Sequence, residues 1–302
     1  MRDSSRLEYE RRMHRVLQHI DRHLGQPLDL PALAEVAHFS PYHFHRLFAA
    51  WTGETLGGYL RRRRLEVAAA KLQSQPRLSV LQAGLAVGFG SGEAFSRAFK
   101  AHFGASPAAW RRERNPDHAM RNGGQDTEPG VSNNGATREP PPMEPAIRVR
   151  IVERPAAHVA CLRHVGPYGK PVNDFWRYTV FPWIAENDLF EGDRYGVGHD
   201  DPSITAPNRC RYDACVEIAP DRPLPPRSFA ATVPAGCYAV TPFEGDVVQV
   251  ERTWTRLLRD WLPDSGMQLD DRPCYEHYPA DAAVSAETGA FRCDLCVPVA
   301  PL

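Results

Sequence analysis

The stretch that decides the fold of the first half is SVLQAGLAVGFGSGEAFSRAFKAHFGASPAAWRR, residues 79–112. Ser79 and Gln82 have the spacing of a capping box, which begins a helix. Gly88 supplies the left-handed residue that ends this helix, and Ser91 caps the next one. The stretch therefore predicts a helix-turn-helix unit whose second helix has an apolar stripe of Phe95, Ala98 and Phe99.

A second copy of this pattern lies 51 residues earlier in the chain. Asp29 can cap a helix over residues 30–37, and Ser40 caps a further helix with Pro41 at its first position. The repeat predicts two helix-turn-helix units, and its matched pairs are Phe44/Phe95, Arg46/Arg97, Phe48/Phe99 and Gly53/Gly104.

Burying the apolar stripe of each second helix leaves polar side chains facing outward near its N-terminal turns. Arginine can pair with guanine O6 and N7, and glutamate can accept from cytosine N4. The alternative is that these side chains are only solvated. Gly92 faces outward without a side chain, so we expect the second unit to read fewer bases. The predicted DNA-contacting residues are Tyr42, His45, Arg46, Glu93, Ser96 and Arg97.

Between the two units, residues 55–74 predict one connecting helix that contains the run Arg61–Arg64. Twenty helical residues span about 30 Å, and successive major-groove faces lie about 34 Å apart. One chain can therefore present both units to one side of a duplex. We expect two of the four arginines to contact DNA phosphates.

Charge and composition divide the chain of 302 residues into about two domains. Residues 1–121 contain 19 Lys and Arg against 11 Asp and Glu, a net charge of +8, while the remainder has a net charge of −9. A basic half joined to an acidic half is typical of a protein with one polyanion-binding part. We predict an all-α domain over residues 6–114, a flexible linker over 115–145 that is rich in Gly, Asn and Pro, and a second domain over 146–302. The absence of a long apolar run and of a signal peptide predicts a cytoplasmic protein that binds no membrane.

The second half also contains a repeat, with an offset of 79 residues. Each copy alternates short β-branched or aromatic runs with one helical segment, in the order strand, strand, helix, strand, strand. The fold class predicted for the whole chain is thus multidomain, an all-α double helix-turn-helix domain followed by a pseudo-symmetric α+β domain. The matched pairs are Pro155/Pro234, Ala156/Ala235, Ala160/Ala239, Gly166/Gly245 and Tyr212/Phe291.

Glu276 is the strongest candidate for a binding residue in the second half. It lies in the predicted strand CYEHY with Cys274 and Tyr278 on its own face, and the offset of 79 makes Val197 the equivalent residue of the first copy. A carboxylate in an apolar slot is costly without a partner. A ligand cation between aromatic walls is one such partner; an arginine of the fold or a solvated rim position are the alternatives. We expect Tyr278 to contact the effector beside Glu276, and Tyr168 and Trp176 to form the walls. Trp176 shares the two predicted helical segments with the tryptophans at 183 and 254, and such a stripe more often belongs to the core.

Other candidate sites are weaker. The seven cysteines, an odd number in a chain without a secretion signal, argue against a disulfide framework. Cys293 and Cys296 lie three apart on a predicted strand, where they point to opposite faces and cannot easily share a metal. Asp200 and Asp201 precede Pro202 and indicate a turn rather than a metal site. We therefore predict no cofactor and no metal.

Residues 10–112 resemble the AraC-family DNA-binding domain through the stretches at 28–72 and 79–112, with GFGSGEAFSRAFKAHFGASPAAWR at 88–111 as the most specific part. Residues 147–302 resemble the GyrI-like effector-binding domain through ACLRHVGPYG, GHDDPSITAPNRCRYDACV, PAGCYAVTPFEG and PCYEHYPAD. This is the domain order of Rob-type regulators. The resemblance implies base contacts from the six residues named above and a small lipophilic or cationic ligand in the cleft between the two C-terminal repeats.

The predicted function is a ligand-responsive transcription regulator and not an enzyme, with double-stranded DNA, a small-molecule effector and RNA polymerase as partners. Two alternatives stay open. The C-terminal domain can be a hydrolase of strained electrophiles that uses Glu276 and Tyr278, or a protein that sequesters toxic compounds without signalling.

Overall fold

The computed structural model describes residues 2–114, 147–282 and 290–301 of the chain. The predicted linker at 115–145 lies outside these residues. In the described part of the chain, no helix is both long and apolar enough to cross a membrane.

The first half is entirely helical, as the sequence predicts. Asp29, Ser40 and Ser91 each accept a backbone N–H at the start of a helix, and Ser79 forms the predicted capping box with Gln82. Gly88 has a φ of 88° and ends its helix as expected. The helices are α1 Arg2–Arg22, α2 Leu30–Val36, α3 Pro41–Thr52, α4 Leu56–Ser74, α5 Val80–Ala86, α6 Gly92–Phe103 and α7 Pro107–Arg114.

The connecting helix α4 belongs to two separate hydrophobic cores. Its first turns pack through Leu56, Tyr59 and Leu60 against α1, α2 and α3. Its later turns pack through residues such as Leu65 and Leu72 against α5, α6 and α7. Each helix-turn-helix unit thus has its own core, and α4 fixes the position of one unit relative to the other.

The second half contains nine described strands and two helices, and it confirms the predicted repeat of strand, strand, helix, strand, strand. Helix α8 covers residues 170–186 and α9 covers 247–261; each contains a π-helical segment, Trp176–Val180 and Leu257–Trp261. The short strand β7 is an addition to the second copy. The strands are β1 Arg150–Arg154, β2 Ala157–Val165, β3 Arg194–Gly198, β4 Arg211–Glu217, β5 Phe229–Val233, β6 Gly236–Gly245, β7 Met267–Leu269, β8 Tyr275–Tyr278 and β9 Phe291–Pro301.

The sheet order is β1-β6-β9-β8-β3-β4-β2-β5, with β7 paired to β9. Reading outward from the central β8–β3 pair gives β9, β6 and β1 on one side and their repeat partners β4, β2 and β5 on the other. The first strand of each copy therefore pairs with the second strand of the other copy, at β1–β6 and β2–β5. This exchange makes the two copies one continuous antiparallel sheet.

Helices α8 and α9 pack on one face of this sheet, and a second apolar cluster lies on the other face. Cys293 is in the helix-side core and Cys296 in the opposite cluster, as the strand alternation predicts. Sequence reasoning missed one cysteine pair. Cys161 and Cys215 lie directly opposite each other on β2 and β4 and form a disulfide, because strand pairing brings together residues 54 positions apart.

Candidate functional site

The two predicted recognition helices are α3 and α6, and each is fixed by buried phenylalanines. Phe44 and Phe48 in α3, like their counterparts in α6, are fully buried. His45 and Arg46 are exposed on α3, and Glu93 and Arg97 are exposed on α6, where Ser96 is half-buried. The side chain of Tyr42 lies outside the described residues. A buried stripe with exposed polar groups near the helix start is the arrangement that base contacts require.

Gly92 does not face freely outward. A Cβ at this position would lie 3.1 Å from Cδ1 of Leu81, so the first turn of α6 lies against α5 here. A larger residue would require the exposed end of the Leu81 side chain to shift slightly.

The arginine run in α4 is used mainly inside the protein, which contradicts the expectation of two phosphate-contacting arginines. Arg61 is exposed. The other three donate to protein acceptors: Arg62 to Glu54 and Glu66, Arg63 to Glu66 and Asp200, and Arg64 to the backbone carbonyls of Leu24, Gln26 and Gly88. In the sequence the run of arginines predicts a phosphate-binding surface, because several acceptors of Arg63 and Arg64, such as Asp200 and the Leu24 carbonyl, are distant in the chain.

In the C-terminal half, Glu276 lies on the helix side of the sheet and accepts three hydrogen bonds from aromatic side chains. The hydroxyls of Tyr278 and Tyr212 donate to its Oε2 at 2.8 and 3.0 Å, and Nε1 of Trp254 donates to Oε1 at 3.3 Å. Within the described residues, no arginine or lysine forms an ion pair with Glu276. The described residues therefore give no support to the alternative of an arginine partner in the fold.

Burial raises the pKa of Glu276 above its ordinary value, although the hydrogen bonds from the three aromatic donors lower it. Burial and the nearby Glu276 carboxylate also raise the pKa of Tyr212 and of Tyr278 well above 10. Among the residues that the structure describes, the groups that donate to this carboxyl group are all neutral. A cation would remove part of the cost of its charged form.

Aromatic side chains around Glu276 form the walls of a pocket, which we call the ligand pocket. Nε1 of Trp176 donates to the hydroxyl of Tyr212 at 3.0 Å, and its ring lies 5.7 Å from that of Tyr278. Tyr168 stands behind this wall, with its ring 6.2 Å from that of Tyr212. Its hydroxyl is engaged with backbone groups, donating to the carbonyl of Arg211 at 2.7 Å.

The structure therefore brings together the predicted Glu276, Tyr278 and Trp176 and places Tyr168 next to them. Sequence reasoning missed Tyr212 as a site residue and did not decide whether Trp254 belongs to the core or to the site. The sequence contains one signal for Tyr212. It is the repeat partner of Phe291, so a hydroxyl stands in one copy where the other has none.

The predicted match of Glu276 with Val197 is wrong. Val197 belongs to the cluster on the opposite face of the sheet, and the residue paired with Glu276 across the strands is Gly196. A Cβ at Gly196 would lie 1.9 Å from the Tyr212 hydroxyl and 2.8 Å from Oε2 of Glu276. The missing side chain of Gly196 leaves the space in which Tyr212 reaches Glu276.

Two family models match the chain. The GyrI-like small molecule binding domain matches residues 147–300, and a helix-turn-helix domain matches residues 33–113. Together they cover both folded halves in the order that the sequence motifs predict.

Three curated relatives illustrate these matches. The regulatory protein SoxS of Salmonella typhimurium is 30% identical over 105 residues, which are 35% of this chain and 97% of SoxS. The right origin-binding protein of Escherichia coli is 40% identical over 93 residues, 31% of this chain and about a third (32%) of that protein's length. The DNA gyrase inhibitor of Erwinia billingiae is 27% identical over 156 residues, 51% of this chain and 97% of the inhibitor.

Proposed function

This chain belongs to the GyrI-like small molecule binding family and carries an AraC-type helix-turn-helix domain, and on this basis we propose that it is a DNA-binding transcription regulator controlled by a small lipophilic cation. The observation that carries the ligand class is Glu276, a partly buried carboxyl group that accepts from aromatic donors and forms no ion pair with an arginine or lysine in the described part of the chain. The observation that carries the DNA-binding role is the pair of exposed, polar recognition helices on buried aromatic stripes.

We propose that His45 and Arg46 read bases in one major groove and that Glu93, Ser96 and Arg97 read bases in the next. Tyr42 joins the first group on the strength of the family resemblance. Helix α4, shared by both cores, supports this proposal because its 19 residues span about 28 Å, which is comparable with the spacing of about 34 Å between successive major-groove faces. RNA polymerase is the partner through which such a regulator would act.

Selection of bound duplexes from a random pool, followed by mobility shifts, tests the DNA-binding role. Arg46→Ala and Arg97→Ala should each weaken specific binding by about 1–3 kcal/mol and relax the preference at one base position. Arg15→Ala, an exposed arginine on α1, is the matched control and should keep the wild-type sequence preference. Unchanged preference in both recognition-helix variants would remove these arginines from the interface.

Titration with tetraphenylphosphonium, followed by tryptophan fluorescence, tests the ligand class. Glu276→Gln should weaken binding of this probe at least tenfold, because it removes the negative charge and keeps the shape of the side chain. Glu217→Gln is the control, since Glu217 lies on the same sheet and its side chain accepts from Tyr195 on the other face. Equal affinity of the Glu276 variant and the wild type would show that the cation does not bind there.

One feature of the pocket also fits the hydrolase alternative. A glutamate with a raised pKa can act as a general base, and a tyrosine hydroxyl can donate to a leaving oxygen. Water addition to an epoxide probe, giving a diol, would then be lost in Glu276→Gln. We favour the regulator because the helix-turn-helix domain has no role in such a reaction. If the wild type forms no diol, the hydrolase alternative is wrong.

A further inference from the structure

A buried cluster of four charged side chains joins the helical domain to the sheet domain. Asp21 of α1 and Arg63 of α4 come from the first, and Asp200 and Arg211 from the second. Arg211 donates to Asp21 at 2.7 Å and to Asp200 at 2.9 and 3.0 Å, and Arg63 forms an ion pair with Asp200. The Asp200 side chain is 1% exposed, and those of the two arginines are 6% exposed.

The cluster holds its charges in the docked arrangement. Burial alone would raise the pKa of Asp200, but the guanidinium groups of Arg211 and Arg63 outweigh burial and hold this pKa well below its usual range. Removing one partner from such a buried group leaves a charge uncompensated, which is strongly unfavourable. The cluster therefore favours one discrete arrangement of the two domains over partly docked ones.

The same strand carries both this cluster and the ligand pocket. Arg211 and Tyr212 are successive residues at the start of β4, so their side chains leave on opposite faces of the sheet. Arg211 reaches the helical domain, and Tyr212 reaches Glu276. Tyr168 also connects the charged cluster to the ligand pocket. Its hydroxyl donates to the Arg211 carbonyl and accepts from the Asp200 N–H at 3.2 Å. Its ring contacts that of Tyr212.

We infer that domain docking through this cluster and cation binding at Glu276 oppose each other. In the docked arrangement the Tyr212 and Tyr278 hydroxyls occupy Oε2 of Glu276. A cation that takes the place of the Tyr212 hydroxyl at Oε2 shifts Tyr212, and this shift disturbs Tyr168 and the backbone that holds Arg211 and Asp200. By linkage, loosening the cluster makes the pocket easier to open by the same factor.

This inference, which depends on the proposed cation site, gives the pocket a route to the DNA-binding domain. A bound cation would weaken the attachment of α1 and α4 to the sheet. Because α4 holds both helix-turn-helix units, the freedom of the whole DNA-binding domain would change with ligand occupancy.

The affinity of the full chain for tetraphenylphosphonium tests the inference. Asp21→Asn should bind the probe at least fivefold more tightly than wild type, the lower end of ordinary coupling factors. A purely electrostatic effect has the opposite sign, since removal of a negative charge weakens binding of a cation. The control is Glu8→Gln, which removes an acidic group of the same helix that pairs with Arg12 within the helical domain, and it should leave the affinity unchanged.

Asp271→Asn provides a second variant that is safe for folding, because Asp271 is 77% exposed where it pairs with Lys71 across the domains. It should tighten probe binding in the same direction by a smaller factor, about twofold. Unchanged or weaker binding in both variants overturns the inference and leaves the proposed function intact. Loss of probe binding in the wild type itself, with DNA binding retained, overturns the inference together with the cation site.

Discussion

Replacing Gly196 by alanine is the most direct test of the pocket geometry. The added methyl group would lie 1.9 Å from the Tyr212 hydroxyl and 2.8 Å from Glu276 Oε2, both closer than side-chain atoms approach in practice. Tyr212 cannot retreat easily, because its hydroxyl also accepts from Trp176 and its ring is buried. The Tyr212–Glu276 hydrogen bond must therefore break or β3 must move.

The magnitude follows from these two contacts. A hydrogen bond to a charged acceptor contributes about 1.5–3 kcal/mol, and overpacking by one methyl group costs about 1–3 kcal/mol. The two costs are not additive, since breaking the hydrogen bond is what relieves the overlap, so we expect about 2–3 kcal/mol of destabilisation. In a domain of this size, this lowers the melting temperature by roughly 4–12 °C.

Gly198→Ala is the matched control in thermal unfolding followed by circular dichroism. It lies two residues along the same strand, and its Cβ would meet the Tyr168 hydroxyl at 3.6 Å, an ordinary contact. Both variants gain the same strand propensity, so their difference isolates the overlap at the pocket. Equal melting temperatures for the two variants would refute the reasoning.

Three further predictions concern the helical domain and its interface. His14 stacks on Phe229, and burial, followed by the Arg163 charge, lowers its pKa to about 4. Between about pH 4 and pH 6.5 the unfolded chain therefore binds more protons than the folded one. The stability that is present above about pH 6.5 is lost as the pH falls toward 4. Urea denaturation of His14→Phe at several pH values should show a flatter profile by roughly 2 kcal/mol. Arg64→Met should cost about 1.5–3 kcal/mol in urea denaturation, because three backbone carbonyls lose a charged donor, whereas Arg61→Met should change stability by less than about 0.5 kcal/mol. Ser79→Ala should cost about 1 kcal/mol through loss of the capping box, and an unchanged urea midpoint would contradict this.

The sequence by itself determined the features that local rules govern. Helix starts at Asp29, Ser40, Ser79 and Ser91 follow from side chains that accept nearby backbone N–H groups, within three residues in the chain. The two repeats were equally visible, because each copy must bury the same face and therefore preserves its apolar spacing. Glu276 was found because it is a carboxyl group on a strand face that it shares with Cys274 and Tyr278, although its assignment to the position of Val197 in the first copy was wrong.

Only the tertiary structure decided which distant groups meet. The Tyr212–Glu276 bond joins residues 64 positions apart, and the Arg63–Asp200 pair joins residues 137 positions apart. The face of the sheet on which Val197 lies depended on the register of β3 against β8. A slip of one residue in this register would move every side chain of the strand to the opposite face. The sequence predicted phosphate contacts for the arginines of α4, and the structure shows that three of the four donate to acceptors within the protein. The strength of an interaction depends on the distance between two groups in space, whereas the amino-acid sequence gives only their separation along the chain.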